Sequence, residues 1–181
     1  MKKEPLFVRF DPDNDLLLEI EQAHSYNGLL SQLKRDNVIG RMEAAKALKK
    51  YLDDPKTIRA LQRSALHDRS WFVRKSALQS VAKEMSSKDF LMAFIREKHS
   101  QPRRAIVTGM SKHYPEEAVK LIRKYIDKDN SYIVQAEMLQ QLGSIGEKSD
   151  IEMVEFYKNQ WSPRKILRNA SVKTLAKLKG N

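Results

Sequence analysis

The sequence predicts an all-α fold: an α-solenoid of about five short helix pairs, preceded by a short N-terminal β-hairpin. Three observations carry this expectation. A short phrase recurs at a nearly fixed interval along the chain. From Ser25 onward, apolar residues fall at helical spacing between regular turn signals. Residues 6–20 break that pattern with two short runs rich in apolar and β-favouring residues around a turn.

The phrase reads Val38-Ile39-Gly40-Arg41-Met42-Glu43-Ala44-Ala45 at its first occurrence. It returns as Phe72-Val73-Arg74-Lys75-Ser76-Ala77-Leu78 and as Ile166-Leu167-Arg168-Asn169-Ala170-Ser171-Val172. A weaker copy around Tyr132-Ile133-Val134 carries Gln135 in the arginine position, and the weakest, Pro102-Arg103-Arg104-Ala105-Ile106, keeps Arg103. Anchored on Arg41, Arg74, Arg103, Gln135 and Arg168, the intervals are 33, 29, 32 and 33 residues. A period in this range marks stacked supersecondary units, each burying its apolar face against its neighbours.

Taken in order, Leu6–Phe10 and Leu16–Ile20 read as paired strands around Asp11-Pro12-Asp13-Asn14, which suits a type I turn. An isolated hairpin is marginal in water, so this one needs the helices or another sheet to lie against. Leu29, Leu30 and Leu33 open the first helix pair; Met42, Ala45, Leu48 and Leu52 continue it. Asp54-Pro55 breaks the chain and suits a helix start, with Ile58, Leu61, Ala65 and Leu66 on the apolar face. Asp68-Arg69-Ser70 turns into the helix of Val73, Ala77, Leu78 and Val81.

Ser86-Ser87-Lys88-Asp89 is a cap for the helix of Phe90, Leu91, Phe94 and Ile95. Ser100-Gln101-Pro102 leads into Ile106, Val107 and Met110. Pro115-Glu116-Glu117 opens the next helix with acids in the favourable first turn. Asp129-Asn130-Ser131 precedes Val134, Met138 and Leu142, and Gly143 to Gly146 is expected to stop that helix. Ile151, Val154 and Tyr157 define the ninth helix; Ile166, Leu167, Val172, Leu175 and Leu178 define the tenth.

The small residue of the phrase (Ala44, Ala77, Ser171) suits close approach of neighbouring helices. Its arginine has two readings. Arg41, Arg74, Arg103 and Arg168 can pair with turn aspartates (Asp36, Asp68, Asp129) as a structural ladder, or they can line a binding surface. The ladder is the preferred reading. Trp71 and Trp161 are the candidate surface contacts, although a tryptophan at such a turn more often packs beneath it.

The bulk composition bounds the function classes. With 181 residues the chain suits one domain, or one domain plus part of another. It has no cysteine, which excludes disulfides, thiolate metal sites and a cysteine nucleophile. No apolar run reaches the roughly 20 residues that cross a bilayer, and the start lacks a signal-peptide core, so a cytoplasmic protein is expected. The net charge is +11, which raises polyanion binding as a possibility. The acids nonetheless read as interspersed almost throughout, so solvated helix faces are the simpler explanation of the charge.

The turn Asp, Val-Arg and small-residue pattern resembles short HEAT-type repeats. Tetratricopeptide units have a similar length, but their Trp, Gly and Tyr positions are absent here. A second resemblance covers nearly the whole chain from about Leu6. Phe7-Val8-Arg9-Phe10-Asp11-Pro12-Asp13-Asn14, followed by Leu18, resembles the last β-hairpin before the helical domain of zinc aminopeptidases of the aminopeptidase N type. Leu33 to Ala45, containing Asp36-Asn37-Val38-Ile39-Gly40-Arg41, resembles the opening of that helical domain in microbial members. Ser70-Trp71-Phe72-Val73-Arg74 is similar to a later segment of it. Segments 6–18 and 33–45 are the specific part.

The resemblance implies that residues 1–24 are a hairpin remnant of a preceding β-sandwich domain. It implies that residues 25–181 are a HEAT-like solenoid that covers a catalytic domain and restricts peptide access. Its partners would be the catalytic and β-sandwich domains of the same polypeptide, with peptide substrate met only indirectly. The family holds zinc with His-Glu-x-x-His and a downstream Glu, and binds the substrate amine with Gly-x-Met-Glu-Asn. None of His24, His67, His99 and His113 is followed by Glu or has a histidine four residues on. No catalytic residue and no metal ligand is therefore expected in this chain, and zinc would belong to the parent enzyme. The alternatives are a stand-alone HEAT scaffold for protein partners and, less favoured, a DNA-binding HEAT protein similar to the alkylpurine glycosylases.

Overall fold

A computed structural model describes residue 5, residues 7–11, residue 15 and residues 24–180. Among these residues the fold is all-α, with ten α-helices in five pairs. The hairpin predicted over 6–20 lies largely outside the described residues. Within the described piece, the Asp11 carboxylate accepts a hydrogen bond from the Asp15 backbone N–H at 3.0 Å.

The chain divides into two compact units, Met1–Glu84 and Met85–Asn181. The first holds α1 (Tyr26–Arg35), α2 (Val38–Ala47), α3 (Pro55–His67) and α4 (Trp71–Val81). Here α2 packs on α1 and α4, and α4 on α3, while α1 and α3 barely touch. The second unit holds α5 (Ser87–Arg96), α6 (Ser100–His113), α7 (Pro115–Tyr125), α8 (Tyr132–Ile145), α9 (Ile151–Lys158) and α10 (Ile166–Lys179). In it α8 lies between α6 and α10, and each of these second helices packs on the first helix of its own pair.

Local chemistry sets the helix starts. Ser25 Oγ accepts from the Gly28 N–H, and Asn37 Oδ1 from the Gly40 N–H, each relieving an orphan donor. Asp54 caps α3 at the Lys56 N–H with Pro55 in the first turn, where its missing donor costs nothing. Ser86 and Asp89 form a reciprocal capping box on α5. His99 Nδ1 accepts from the Gln101 N–H at the start of α6.

The core follows the apolar phase of the sequence. Leu48, Leu61, Val73, Val81, Phe90, Ile122, Ile126, Met138, Leu139 and Leu142 are fully enclosed. Ala44, Ala77 and Ser171, the small residues of the phrase, are also without exposure. In the two weaker copies Ile106 and Met138 occupy the same slot and are equally buried, so the close approach is not uniform along the chain.

Residues 143–146 end α8 as expected, through Gly146. Gly143 does not stop α8; it lies inside the helix, which ends at Ile145 with Gly146 as an extended cap. A β-carbon at Gly143 would sit 3.1 Å from Lys177 Cδ and 3.3 Å from Thr174 Cα. The glycine therefore serves the contact between α8 and α10, where Thr174 Oγ1 also donates to the Leu139 carbonyl at 2.7 Å. Helix-stop chemistry and close helix approach select the same residue, and sequence alone does not separate them.

Truncating a side chain in this tight core leaves a cavity. Leu139→Ala is expected to cost about 2–5 kcal/mol, read as a lower urea midpoint with an unchanged slope. An unchanged midpoint would show that α8 is not central to its unit.

Candidate functional site

Arg41 links two turns of the first unit. Its Nη1 donates to the Asp36 carbonyl at 2.8 Å, within its own pair. Its Nε and Nη2 form a two-point bond to the Asp68 carboxylate, at 2.8 and 2.9 Å, in the next pair. Both side chains are buried. Hydrogen bonding and the charge of Asp68 raise the Arg41 pKa against the opposing effect of burial, so the guanidinium stays ionised. Asp68 Oδ1 also accepts from the Ser70 N–H at 2.8 Å, and the Asp68 carbonyl receives Arg74 Nη1 at 2.8 Å.

The same device recurs. Arg103 Nη1 donates to the Lys98 carbonyl at 2.9 Å and its Nη2 to Asp129 at 2.8 Å. Asp129 in turn accepts from the Ser131 N–H. This link is weaker than that of Arg41, because Arg103 Nε is buried without a partner among the described residues. Gln135 donates to the Ile126 carbonyl at 2.9 Å, nine residues back, where the arginines grip a turn carbonyl five or six residues back. The position 27 residues on, where Asp68 stands relative to Arg41, is Ser162. Where the arginine is lost, the carboxylate is lost too. Arg168 is exposed and makes no ion pair among the described residues.

An unexpected arginine completes the ladder at its N-terminal end. Arg9 Nη1 donates to Asp36 Oδ2 at 3.2 Å and to Asn37 Oδ1 at 2.8 Å, and its side chain is only 6% exposed. A β-carbon on Gly40 would lie 1.7 Å from Asp36 Oδ2 and 2.6 Å from Arg9 Nη1, so only glycine leaves room for this contact. The 27-residue offset from Arg9 to Asp36 equals that from Arg41 to Asp68, and it was the available signal. A second arginine outside the phrase, Arg123, holds Asp150 through Nε at 2.7 Å and Nη2 at 3.0 Å. Burial pushes the Asp150 carboxyl up, but the bonds from Arg123 and from the Glu147 N–H outweigh it and lower the pKa.

The tryptophans differ in setting. Trp71 stacks on Phe72 with centroids 3.7 Å apart. Trp161 is 76% exposed and meets the edge of Tyr132, at 6.0 Å. The histidines do not converge: His99 is a helix cap, His113 ends α6, and His67 ends α3. Among the described residues no three His, Asp or Glu side chains come together as a metal ion would require. No helix among them is long and apolar enough to cross a membrane.

A basic groove lies between α1 and α3, with a volume of about 860 Å³. Leu30, Leu33 and Ala60 contribute its apolar lining, and Lys34, Arg35, Lys56, Arg59, Arg63 and His67 contribute its cations. This departs from the expectation of interspersed charge, because neither α1 nor α3 contains an Asp or Glu.

Residues 26–108 match the family model described as HEAT repeats. No curated protein matches the chain.

Two outcomes test the ladder. In a double-mutant cycle, Arg41→Ala and Asp68→Ala should each cost about 3 kcal/mol, and together little more than either alone. Additive losses would mean that the pair is not coupled. Asp150 has a lowered pKa, so its contribution is present above its ordinary value of 3.8 and is lost as pH falls below it. Asp150→Asn should therefore flatten the acid limb of stability against pH; an unchanged limb would count against that assignment.

Proposed function

We propose that this chain is a non-catalytic, cytoplasmic HEAT-repeat scaffold serving as the C-terminal domain of a zinc metallo-aminopeptidase. In that role it covers the catalytic domain and restricts peptide access. The observation that supports this reading is the Arg9 clamp. The two most specific segments of the resemblance, around Phe7-Val8-Arg9 and around Asp36-Asn37-Val38-Ile39-Gly40-Arg41, meet at Arg9, Asp36, Asn37 and Gly40. A helical domain that must hold a set position on a preceding domain needs its incoming chain fixed to the first helix pair. A buried arginine bonded to two side chains of the first turn does this.

The described residues do not fit zinc. The four histidines are dispersed and the carboxylates nearest the repeat turns are engaged by arginines. On this reading zinc and the attacking water belong to the catalytic domain, and the helical repeats supply shape and steric exclusion. Scaffolding is the broader function supported by the repeats themselves.

The reading is tested by the coding sequence in frame upstream of Met1. An open frame containing His-Glu-x-x-His and Gly-x-Met-Glu-Asn is expected. A stop codon there, or an open frame lacking both motifs, would overturn the aminopeptidase reading and leave a scaffold for protein partners. The isolated chain should also retain no stoichiometric zinc after dialysis and should not hydrolyse aminoacyl arylamides. Intrinsic zinc-dependent hydrolysis would contradict a non-catalytic role.

A further inference from the structure

We propose that the groove between α1 and α3 docks an acidic amphipathic helix, its apolar stripe on Leu30, Leu33 and Ala60 and its carboxylates on the flanking cations. This inference does not depend on the aminopeptidase reading, because it uses only the first unit and its charge.

The distribution of charge is the starting point. Lys56, Arg59, Arg63 and His67 follow one another at spacings of three and four along α3, so they form a stripe about 16 Å long. Lys34 and Arg35 face the same groove from the end of α1. All six side chains are exposed. None of the five Lys and Arg side chains makes an ion pair with a described residue.

Helix chemistry does not account for the stripe. Lys34, Arg35 and His67 stand in last turns, where cations complement the helix dipole. Lys56 stands at the opposite end, in the first turn of α3, where a cation is unfavourable. The Asp54 cap offsets this only locally, with Lys56 and Arg59 acting on that carboxylate from a distance. Arg59 and Arg63, four residues apart, repel each other on the helix surface. An incoming set of carboxylates relieves both effects.

The groove lining selects the class of anion. Asp68 reaches the groove, but its carboxylate is already held by Arg41 and the Ser70 N–H, so it does not oppose an acidic partner. Among the described residues no Phe, Tyr or Trp lines the groove. A single-stranded nucleic acid would find cations but no stacking platform. An apolar strip between cationic margins instead matches a helix with apolar anchors at i, i+3 and i+4 and carboxylates beside them. The α3 stripe extends for about three helical turns, enough for two or three anchors.

The test uses the full chain and a fluorescein-labelled helical peptide of about five turns, with Leu at i, i+4 spacing and Glu flanking them. Binding is read by fluorescence anisotropy at about 50 mM salt, where screening is modest. Saturable binding is expected. Arg59→Glu combined with Arg63→Glu should weaken it on the order of tenfold or more, with the helical circular dichroism unchanged. Lys112→Glu combined with Lys120→Glu, on exposed faces of α6 and α7, should leave it unaltered. Replacing the peptide leucines by serine should weaken binding on the order of tenfold. The proposal is overturned by the absence of saturable binding, or by equal loss in both charge-reversal variants. It is also overturned if the serine peptide binds as well as the leucine peptide, or if an oligothymidylate of equal charge binds more tightly than either.

Discussion

The rest of the first unit depends on a buried guanidinium shared between two turns. Arg41 takes the backbone carbonyl of its own turn and the carboxylate of the next. Each turn aspartate thereby receives two arginines: the preceding one on its side chain and its own on its carbonyl. Asp36 is bonded in this way by Arg9 and Arg41, and Asp68 by Arg41 and Arg74. Repeat proteins have contacts only between neighbours, so directional bonds at the Asp36 and Asp68 turns fix the register of adjoining pairs.

The cost of breaking such a bond explains where the pattern lapses. A buried carboxylate without its arginine is strongly destabilising, more so than an uncharged pair in the same place. Gln135 and Ser162 replace both charges together, and Ser162 Oγ accepts from the Leu167 N–H instead of holding a guanidinium. The ladder also bears on the groove between α1 and α3. Neither α1 nor α3 contains a carboxylate, and Asp68, which reaches the groove from the cap of α3, is engaged by Arg41.

Much of this was legible in the sequence. The arginine period, the buried small residues Ala44, Ala77 and Ser171, the Ser86–Asp89 cap and the Pro55 and Pro115 helix starts all follow from local chemistry and spacing. What was not legible required three dimensions. Arg9 stands 32 residues before Arg41 and 27 before Asp36, but it precedes the first repeat and Pro12 replaces the small residue of the phrase. Arg123 lies on a first helix, outside the recurring phrase, and meets Asp150 only because α7 and the turn before α9 converge. The groove could not be seen by scanning for charge runs, because its cations are separated in sequence and gather on one face only when α1 and α3 lie side by side. Gly143 shows the opposite difficulty, since its sequence context fits a helix stop that the structure places at Gly146.

The arginines couple neighbouring turns. The most direct measurement is amide hydrogen exchange in the Arg41→Ala variant, resolved residue by residue. Coupled turns will exchange faster both in the α1–α2 turn near Asn37 and in the α3–α4 turn at Ser70, whose N–H is held by Asp68. Faster exchange confined to the α1–α2 turn, with Ser70 as protected as in the unaltered chain, would contradict the coupling.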